Sequence, residues 1–212
     1  MQSAIPKQFL LLGGMPVVAR TINTFSEAMP GAEIVVVLPK EDIEMWRNLA
    51  ARFDVAVHRC VAGGKERFHS VKSGLAALSD GIRTVAVHDA VRPLASKKLI
   101  IKLFLEAEKH TAVIPAVMPV DSYRVVDGEE SKIIDRSLLR IVQTPQVFNA
   151  EALRQAYEQP FSTTFTDDAS VMEAAGYSIA LVEGERENIK ITTPSDILIA
   201  EAIITAENET QL

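Results

Sequence analysis

The sequence has one cysteine, Cys60, so no disulfide can form within the chain. A reducing, cytoplasmic setting fits that usage. Cys60 follows the apolar residues Val55 and Val57 and reads as a packed thiol at a strand end, with no partner base in view to activate it. No apolar run approaches the length of a membrane-spanning helix. Met1 to Phe9 carries no signal-peptide core, so export is not expected. Positive charge is in deficit: 22 Lys and Arg stand against 28 Asp and Glu, a net charge of -6. That argues against nucleic acid as a partner, which needs a basic face. It leaves room for a small anionic ligand at a locally positive site. A G-x-S-x-G elbow, a Walker A loop and a metal-binding Cys/His cluster are also missing. The histidines at 58, 69, 88 and 110 are scattered. There is no repeat, linker or low-complexity tract to divide the chain.

With 212 residues, 48% of them hydrophobic, the chain can bury one sizeable core. A single domain over 1–212 is expected. Apolar-rich stretches at 34–38, 55–60, 85–87, 112–117 and 178–182 read as strands. Helical periodicity fills most of the intervals between them. A first helix follows Pro16, with Val17, Val18, Ile22 and Phe25 on one face. Others are expected at 41–52, 66–78, 96–110 with Ser96 as cap, 150–158, and 167–175 with Thr166 as cap. The last begins at Thr193-Pro194-Ser195-Asp196, a cap followed by proline and an acid, and runs to Ala206 with a frayed tail beyond. Thr144-Pro145-Gln146 reads as a turn. The fold class is therefore α/β: Rossmann-like, with a largely parallel sheet, helices on both faces and a projecting β-hairpin arm. The arm, within 119–138, has polar strands at 122–126 and 132–135 around a glycine turn. Two strands alone are marginally stable in water, so the arm is expected to pack on a second copy of the chain; an exposed flap is the alternative.

The stretch Thr84 to Pro93 organises the rest. An apolar strand ends in His88-Asp89, and Arg92-Pro93 follows. In open parallel sheets, ligands bind where the loops diverge beyond the carboxyl ends of the strands. Asp89 supplies an acceptor for a hydroxyl or a metal-bound water, and Arg92 a fork of donors for phosphate. A buried strand ending in a salt-bridged turn would read the same way on this segment alone. Further cations sit in other loops: Lys7, Lys65 and Arg67 after Gly63-Gly64, Arg136, and Lys190. The two glycines let backbone approach a ligand, and the helix that follows favours an anion at its N-terminus. Ser70 adds a hydroxyl. His88 reads as a strand-end histidine that packs and hydrogen-bonds rather than as a base. A site rich in cations with no evident base suits a nucleophile that is already ionised, such as a phosphate monoester. Fixed cations then bring two anions together.

Pro6-Lys7-Gln8-Phe9, Gly63-Gly64 with Glu66-Arg67 and Ser70-Val71, Val87 through Pro93, Thr144-Pro145-Gln146, Thr166-Asp167-Asp168-Ala169, and Glu183-Gly184 through Asn188-Ile189-Lys190 occur in one order. Together they resemble the 2-C-methyl-D-erythritol 4-phosphate cytidylyltransferase family over essentially the whole chain. The resemblance implies attack of the methylerythritol phosphate on the α-phosphorus of CTP, with pyrophosphate leaving, and Mg²⁺ held mainly by the triphosphate. It implies that Lys7 neutralises charge growing on the phosphates. Arg136 and Lys190 would grip the acceptor phosphate. Gly64, Arg67 and Ser70 would line the cytidine pocket. Asp89, with Ala90 and Arg92 beside it, would face the ribose and the metal. Ser122 stands where the family usually has threonine, keeping the hydroxyl. The family's arm swaps across a homodimer, placing Ser122 or Arg136 near a neighbour's site.

One departure accompanies the resemblance. The family opens with an apolar strand and a glycine-rich loop ending in Arg-Met, and Met1 stands at that methionine. The absent strand would be central, so the sheet is expected to show a break with unpaired backbone at that place. The expectation is that a longer polypeptide carries the segment. Two other functions remain open: a ribitol 5-phosphate cytidylyltransferase, and a catalytically inactive nucleotide-binding protein.

Overall fold

A computed structural model describes residues 6–210. The readings of Met1 to Ile5 and of residues 211–212 lie outside it, while residues 207–210, expected as a frayed tail, continue the last helix. After a 3-10 turn at Lys7–Phe9 the elements run β1 (Leu11–Leu12), β2 (Met15–Pro16), α1 (Val17–Ala28), β3 (Val35–Leu38), α2 (Asp42–Ala50), β4 (Arg59–Ala62), α3 (Arg67–Ala77), β5 (Thr84–Val87), α4 (Lys97–Glu106) and β6 (Ala112–Val117). There follow the arm strands β7 (Tyr123–Asp127) and β8 (Glu130–Ile134), then β9 (Ile141–Val142), β10 (Gln146–Asn149), α5 (Ala150–Ala156), α6 (Asp168–Ala174), β11 (Ala180–Glu183) and α7 (Pro194–Thr210).

The central sheet has the order β11-β6-β10-β5, with β9 paired to β6. Its side chains alternate between two cores. Val85, Ala112, Ile114 and Phe148 face α3, α5 and α6, while Ala86, Val113 and Val147 face α4. Both faces are therefore apolar and covered, as the unbroken β-branched runs of β5 and β6 anticipate. Phe148 and Val147 are fully buried. β3 and β4 form a separate parallel pair. Among the described residues, β3 pairs only with β4 and β5 only with β10, so the expected break falls between β3 and β5. Helix α1 ties the two parts together. Its Val18, Ala19 and Ile22 pack with Val36, Leu38 and Trp46, and Thr21 Oγ1 donates to the carbonyl of Ala90 beyond β5 at 3.2 Å.

The Rossmann-like architecture is present, and β3–β4 and β6–β11 are parallel. Three local readings change. Residues 146–149, of which the sequence assigns only Gln146, to the turn Thr144-Pro145-Gln146, form β10, which lies antiparallel between β5 and β6. Four residues give too short an alternation to signal a strand. The strand expected at 55–60 starts only at Arg59, and Val57 is 95% exposed. Backbone at 54–56 bonds instead to the Asn23 side chain: Asn23 Nδ2 donates to the Asp54 carbonyl and Asn23 Oδ1 accepts from Ala56 N, both at 2.8 Å. Helix α6 is capped by Asp167 rather than Thr166. The Asp167 carboxylate accepts from Ser170 N, and Ser170 Oγ lies 3.1 Å from Asp167 N, closing a capping box.

The arm is a regular hairpin with Asp127 opposite Glu130 and Gly128 at φ 57° in the turn, a conformation glycine adopts without steric cost. All of β7 and nearly all of β8 are exposed, including Val126 at 70% and Ile133 at 73%.

Because both amide groups of Asn23 serve backbone, Asn23→Ala is expected to cost about 1–2 kcal/mol. Urea unfolding measures this, and an unchanged midpoint would contradict the account of the segment before β4.

Candidate active site

The turn after β5 closes with Arg92 N donating to the Asp89 carbonyl at 2.9 Å. Its two charged side chains meet: Arg92 Nε lies 3.4 Å from Asp89 Oδ2. Lys190, from the loop between β11 and α7, reaches the same oxygen at 3.0 Å. Asp89 and Arg92 are mostly buried, whereas the Lys190 side chain is 47% exposed. Burial pushes the Asp89 carboxyl up, but the hydrogen bond and charge of Lys190, with the charges of Arg67 and Arg92, outweigh it. The group sits below its ordinary value and is ionised.

Neighbouring strands and loops hold this turn. The Asp89 amide donates to Thr144 Oγ1 at 3.0 Å, so the residue just before β10 fixes the start of the turn. Asn188, fully buried, donates through Nδ2 to the Thr144 carbonyl at 2.8 Å. Its own carbonyl accepts from Arg92 Nη1 at 2.9 Å. Gln143 Nε2 donates to the Glu185 carbonyl at 2.7 Å, and Ile191 N to the Val91 carbonyl at 2.8 Å. The loop that carries Lys190 is thus stitched to the loop that carries Asp89.

The α3 end supplies the third cation. Arg67 Nη2 lies 2.5 Å from Asp168 Oδ2, and Asp168 is fully buried. Tyr157 Oη donates to Asp168 Oδ1 at 2.5 Å. Burial pushes the Tyr157 phenol up, and the Asp168 charge pushes it further, so it stays protonated and donates. Gly64 N donates to Ser70 Oγ at 3.1 Å, closing the loop onto α3. A Cβ on Gly64 would lie 2.3 Å from the Cβ of His69, which leaves no room for another residue there. In the sequence Asp168 stands out only as part of the Thr166-Asp167-Asp168-Ala169 motif, with no role of its own, and Tyr157 does not stand out at all. Two acids opening a helix read as dipole complements, and nothing local signals that the second turns inward to an arginine.

Arg67, Asp89, Arg92 and Lys190 therefore converge, with Gly64 and Ser70 at the mouth of the same helix as Arg67. Ala90 packs against the cluster that contains Phe9 and Trp46. Lys7 is exposed in the turn that Phe9 closes. No hydrogen bond or ion pair joins Lys7 to Asp89 among the described residues. Ser122 and Arg136 are on the exposed arm, and Arg136 Nη1 donates to the Val120 carbonyl. Neither contacts the Asp89 cluster within one chain. Cys60 is half-buried, and burial pushes its thiol up, as suits packing rather than attack.

Among the described residues no group of three His, Cys, Asp or Glu side chains is placed to hold a metal, and no helix is long and apolar enough to cross a membrane. Asp89 is a lone ionised carboxylate. That suits Mg²⁺, which binds through one or two carboxylates plus substrate phosphates and keeps several waters. Structural sites for Zn²⁺ need more protein ligands than this.

Comparison with known proteins agrees along the whole chain. The family model described as 2-C-methyl-D-erythritol 4-phosphate cytidylyltransferase matches residues 1–206. A protein of that name from Bacteroides fragilis is 48% identical over 206 residues, covering 96% of this chain and 93% of the relative. One from Bacteroides thetaiotaomicron is 46% identical over 205 residues, covering 96% and 93%. A crystal structure of 4-diphosphocytidyl-2C-methyl-D-erythritol synthase from Anaerococcus prevotii superposes with a TM-score of 0.83 at 31% identity, covering 93% of both chains. The Thermus thermophilus 2-C-methyl-D-erythritol 4-phosphate cytidylyltransferase superposes at 0.78 with 33% identity and the same coverage.

His88 gives the fold a pH dependence of known sign. Burial lowers its pKa from 6.5 to about 4, against the raising effects of the Arg92 carbonyl and of Asp89. Between those values the unfolded chain binds more protons than the folded one. The contribution is complete above pH 6.5 and is lost as the pH falls toward about 4. Urea midpoints measured in chelator across that window are expected to fall with pH, and to fall less steeply in His88→Phe. Equal slopes would contradict a neutral, buried imidazole.

Proposed function

The chain belongs to the 2-C-methyl-D-erythritol 4-phosphate cytidylyltransferase family, and from that membership we propose how its own residues carry the reaction. It is a nucleotidyltransferase that moves CMP from CTP to 2-C-methyl-D-erythritol 4-phosphate in isoprenoid precursor synthesis. An oxygen of the acceptor phosphate forms a bond to the α-phosphorus, the bond from that phosphorus to the bridging oxygen breaks, and pyrophosphate leaves with the electron pair. No protein base is required, because the nucleophile is already an anion. What is required is relief of repulsion between two polyanions.

The observation that carries this reading is the convergence of Arg67, Arg92 and Lys190 on Asp89. Lys190 has its charge half in solvent, free to meet the acceptor phosphate. Arg92 is fixed by Asn188 and Asp89 and presents its remaining donors toward the triphosphate. Gly64, Ser70 and the clamped Arg67 line the cytidine pocket, and Ala90, beside Asp89, contributes to the nucleotide site. Lys7, in its exposed turn, takes up charge that grows on the phosphates in the transition state. Asp89 receives the ribose and, together with the triphosphate oxygens, would hold Mg²⁺. Where bound, that ion neutralises the phosphates and orients them for in-line displacement.

The arm completes the assignment. We infer a homodimer in which the exposed apolar residues of β7 and β8 pack against a second copy. Ser122 or Arg136 would then lie near the neighbour's acceptor site. The 119–138 arm projects from one nucleotidyltransferase domain over 1–212. The lone cysteine fits a cytoplasmic enzyme.

The decisive assay is pyrophosphate release from CTP and methylerythritol phosphate with Mg²⁺. Turnover is expected. Turnover with ribitol 5-phosphate alone, or CTP binding without turnover, would contradict the reading. Lys190→Ala separates function from stability. A pair whose lysine is half exposed contributes about 1 kcal/mol or less, so the unfolding midpoint is expected to hold while kcat/KM falls about 100-fold or more. A rate close to wild type would remove Lys190 from the site. For the arm, sedimentation at micromolar concentration is expected to give a dimer, and a monomer there would contradict the inferred packing.

A further inference from the structure

His88, in the organising stretch, is a polar side chain outside the reaction as assigned so far. Its ring reaches both ends of the turn that carries Asp89 and Arg92, the last directly and the first through the Thr144 hydroxyl. Nε2 lies 3.0 Å from the carbonyl of Arg92. Nδ1 lies 2.9 Å from Thr144 Oγ1, and that same oxygen lies 3.0 Å from the Asp89 amide nitrogen. Phe25 packs on the ring with centroids 5.0 Å apart.

The partners dictate the direction of every bond. A carbonyl oxygen only accepts, so the hydrogen is on Nε2. In a neutral ring Nδ1 is then a lone pair, and the Thr144 hydroxyl must donate to it. The Thr144 oxygen accepts from the Asp89 amide with a remaining lone pair. The path from the Asp89 N–H through Thr144 Oγ1 and the imidazole to the Arg92 carbonyl is thus a single chain of donors and acceptors with one allowed sense. It ties down the first peptide of the turn and the last. Between those points lies a spacing of three residues, which puts the Asp89 carboxylate and the Arg92 guanidinium against each other.

We propose that His88 is a positioning residue for the transfer reaction, acting as an Nε2–H imidazole that spans the 89–92 turn and fixes the distance between the Asp89 carboxylate and the Arg92 guanidinium. It touches neither substrate nor metal in this account and moves no proton. Its effect reaches the reaction only through the two side chains it spaces. The inference rests on the reading above that Asp89 and Arg92 meet the nucleotide.

Two measurements test it, one independent of turnover. Nitrogen-15 NMR of the intact wild-type protein, well above the pH at which this ring takes up a proton, is expected to give a protonated Nε2 and an unprotonated Nδ1 for His88. A hydrogen on Nδ1 overturns the proposal whatever the protein's activity, so failure here is distinct from failure of the functional reading. The second measurement uses His88→Phe, which keeps the ring against Phe25 and removes both polar contacts, and His88→Gln, whose side-chain amide can again donate to the Arg92 carbonyl. His88→Phe is expected to lower kcat about 10- to 100-fold, and His88→Gln to recover part of that loss. In an Arg92→Lys background the His88→Phe penalty is expected to shrink, because the side chain being spaced has been changed. Wild-type kcat in His88→Phe overturns the proposal, and so does a full penalty that persists unchanged in the Arg92→Lys background. Should His88→Phe fail to fold, His88→Gln and the NMR tautomer decide: kcat nearer wild type with Nε2–H supports the role, and Nδ1–H refutes it.

Discussion

A single carboxylate surrounded by cations is the constraint on which the site depends. Asp89 lies within 3.0 Å of Lys190 and 3.4 Å of Arg92 and feels the charge of Arg67. Burying an ion without compensation costs several kcal/mol, and removing one partner of a buried pair costs about 3–5 kcal/mol because the other is left exposed to low dielectric. Asp89 therefore offsets the cost of holding the permanently charged Arg92 guanidinium in a mostly buried position. In the second pair the roles reverse: Arg67, partly exposed, offsets the charge of the fully buried Asp168. Three cations against two carboxylates leave one positive charge in a molecule whose overall charge is -6. That local reversal makes room for phosphates. It also limits the contribution of the cluster to stability, since the most exposed member, Lys190, is the one with least to lose.

The fold converts this into geometry by bringing distant segments to the carboxyl end of β5. β10 is the central device. Its Val147 and Phe148 fill the two cores on opposite faces of the sheet. Thr144, just before it, meets Asp89 and His88. Gln146 accepts from Ala169 N and donates to Asp167 at the start of α6, which in turn seats Asp168 against Arg67. A strand of four residues thus carries both the core packing and the register of the two cation clamps. Asn188 performs the matching task from the other side, holding Arg92 and Thr144 at once.

Much of this was legible in the order of residues. The β-branched run of 84–87 and the polar residues after it placed the site at a strand end, because a continuous apolar run must be buried and polar groups must exit it. The arm was legible from the loss of helical periodicity after 117 together with a glycine turn. What escaped was set by contacts distant in sequence. β10 is too short for a period to register, and its direction is decided by the strands on either side. The stretch before β4 looked like strand because Val55 and Val57 alternate, yet Asn23, more than thirty residues away, claims its backbone. Asp168 looked like a helix-start acid until Tyr157 and Arg67 were seen to share it. The Thr144 hydroxyl, the pivot between β10 and Asp89, sat in a segment that local chemistry marks only as a turn.

The central claim is that one pocket around Asp89 receives both phosphorylated reactants. A crystal structure of the protein with CTP and the acceptor phosphate tests it most directly. The account predicts the guanidinium of Arg92 and the amine of Lys190 within about 3 Å of phosphate oxygens, on the side of Asp89 that faces Arg67. A triphosphate bound away from Asp89, with Arg92 and Lys190 still paired to it as in the free protein, would contradict it.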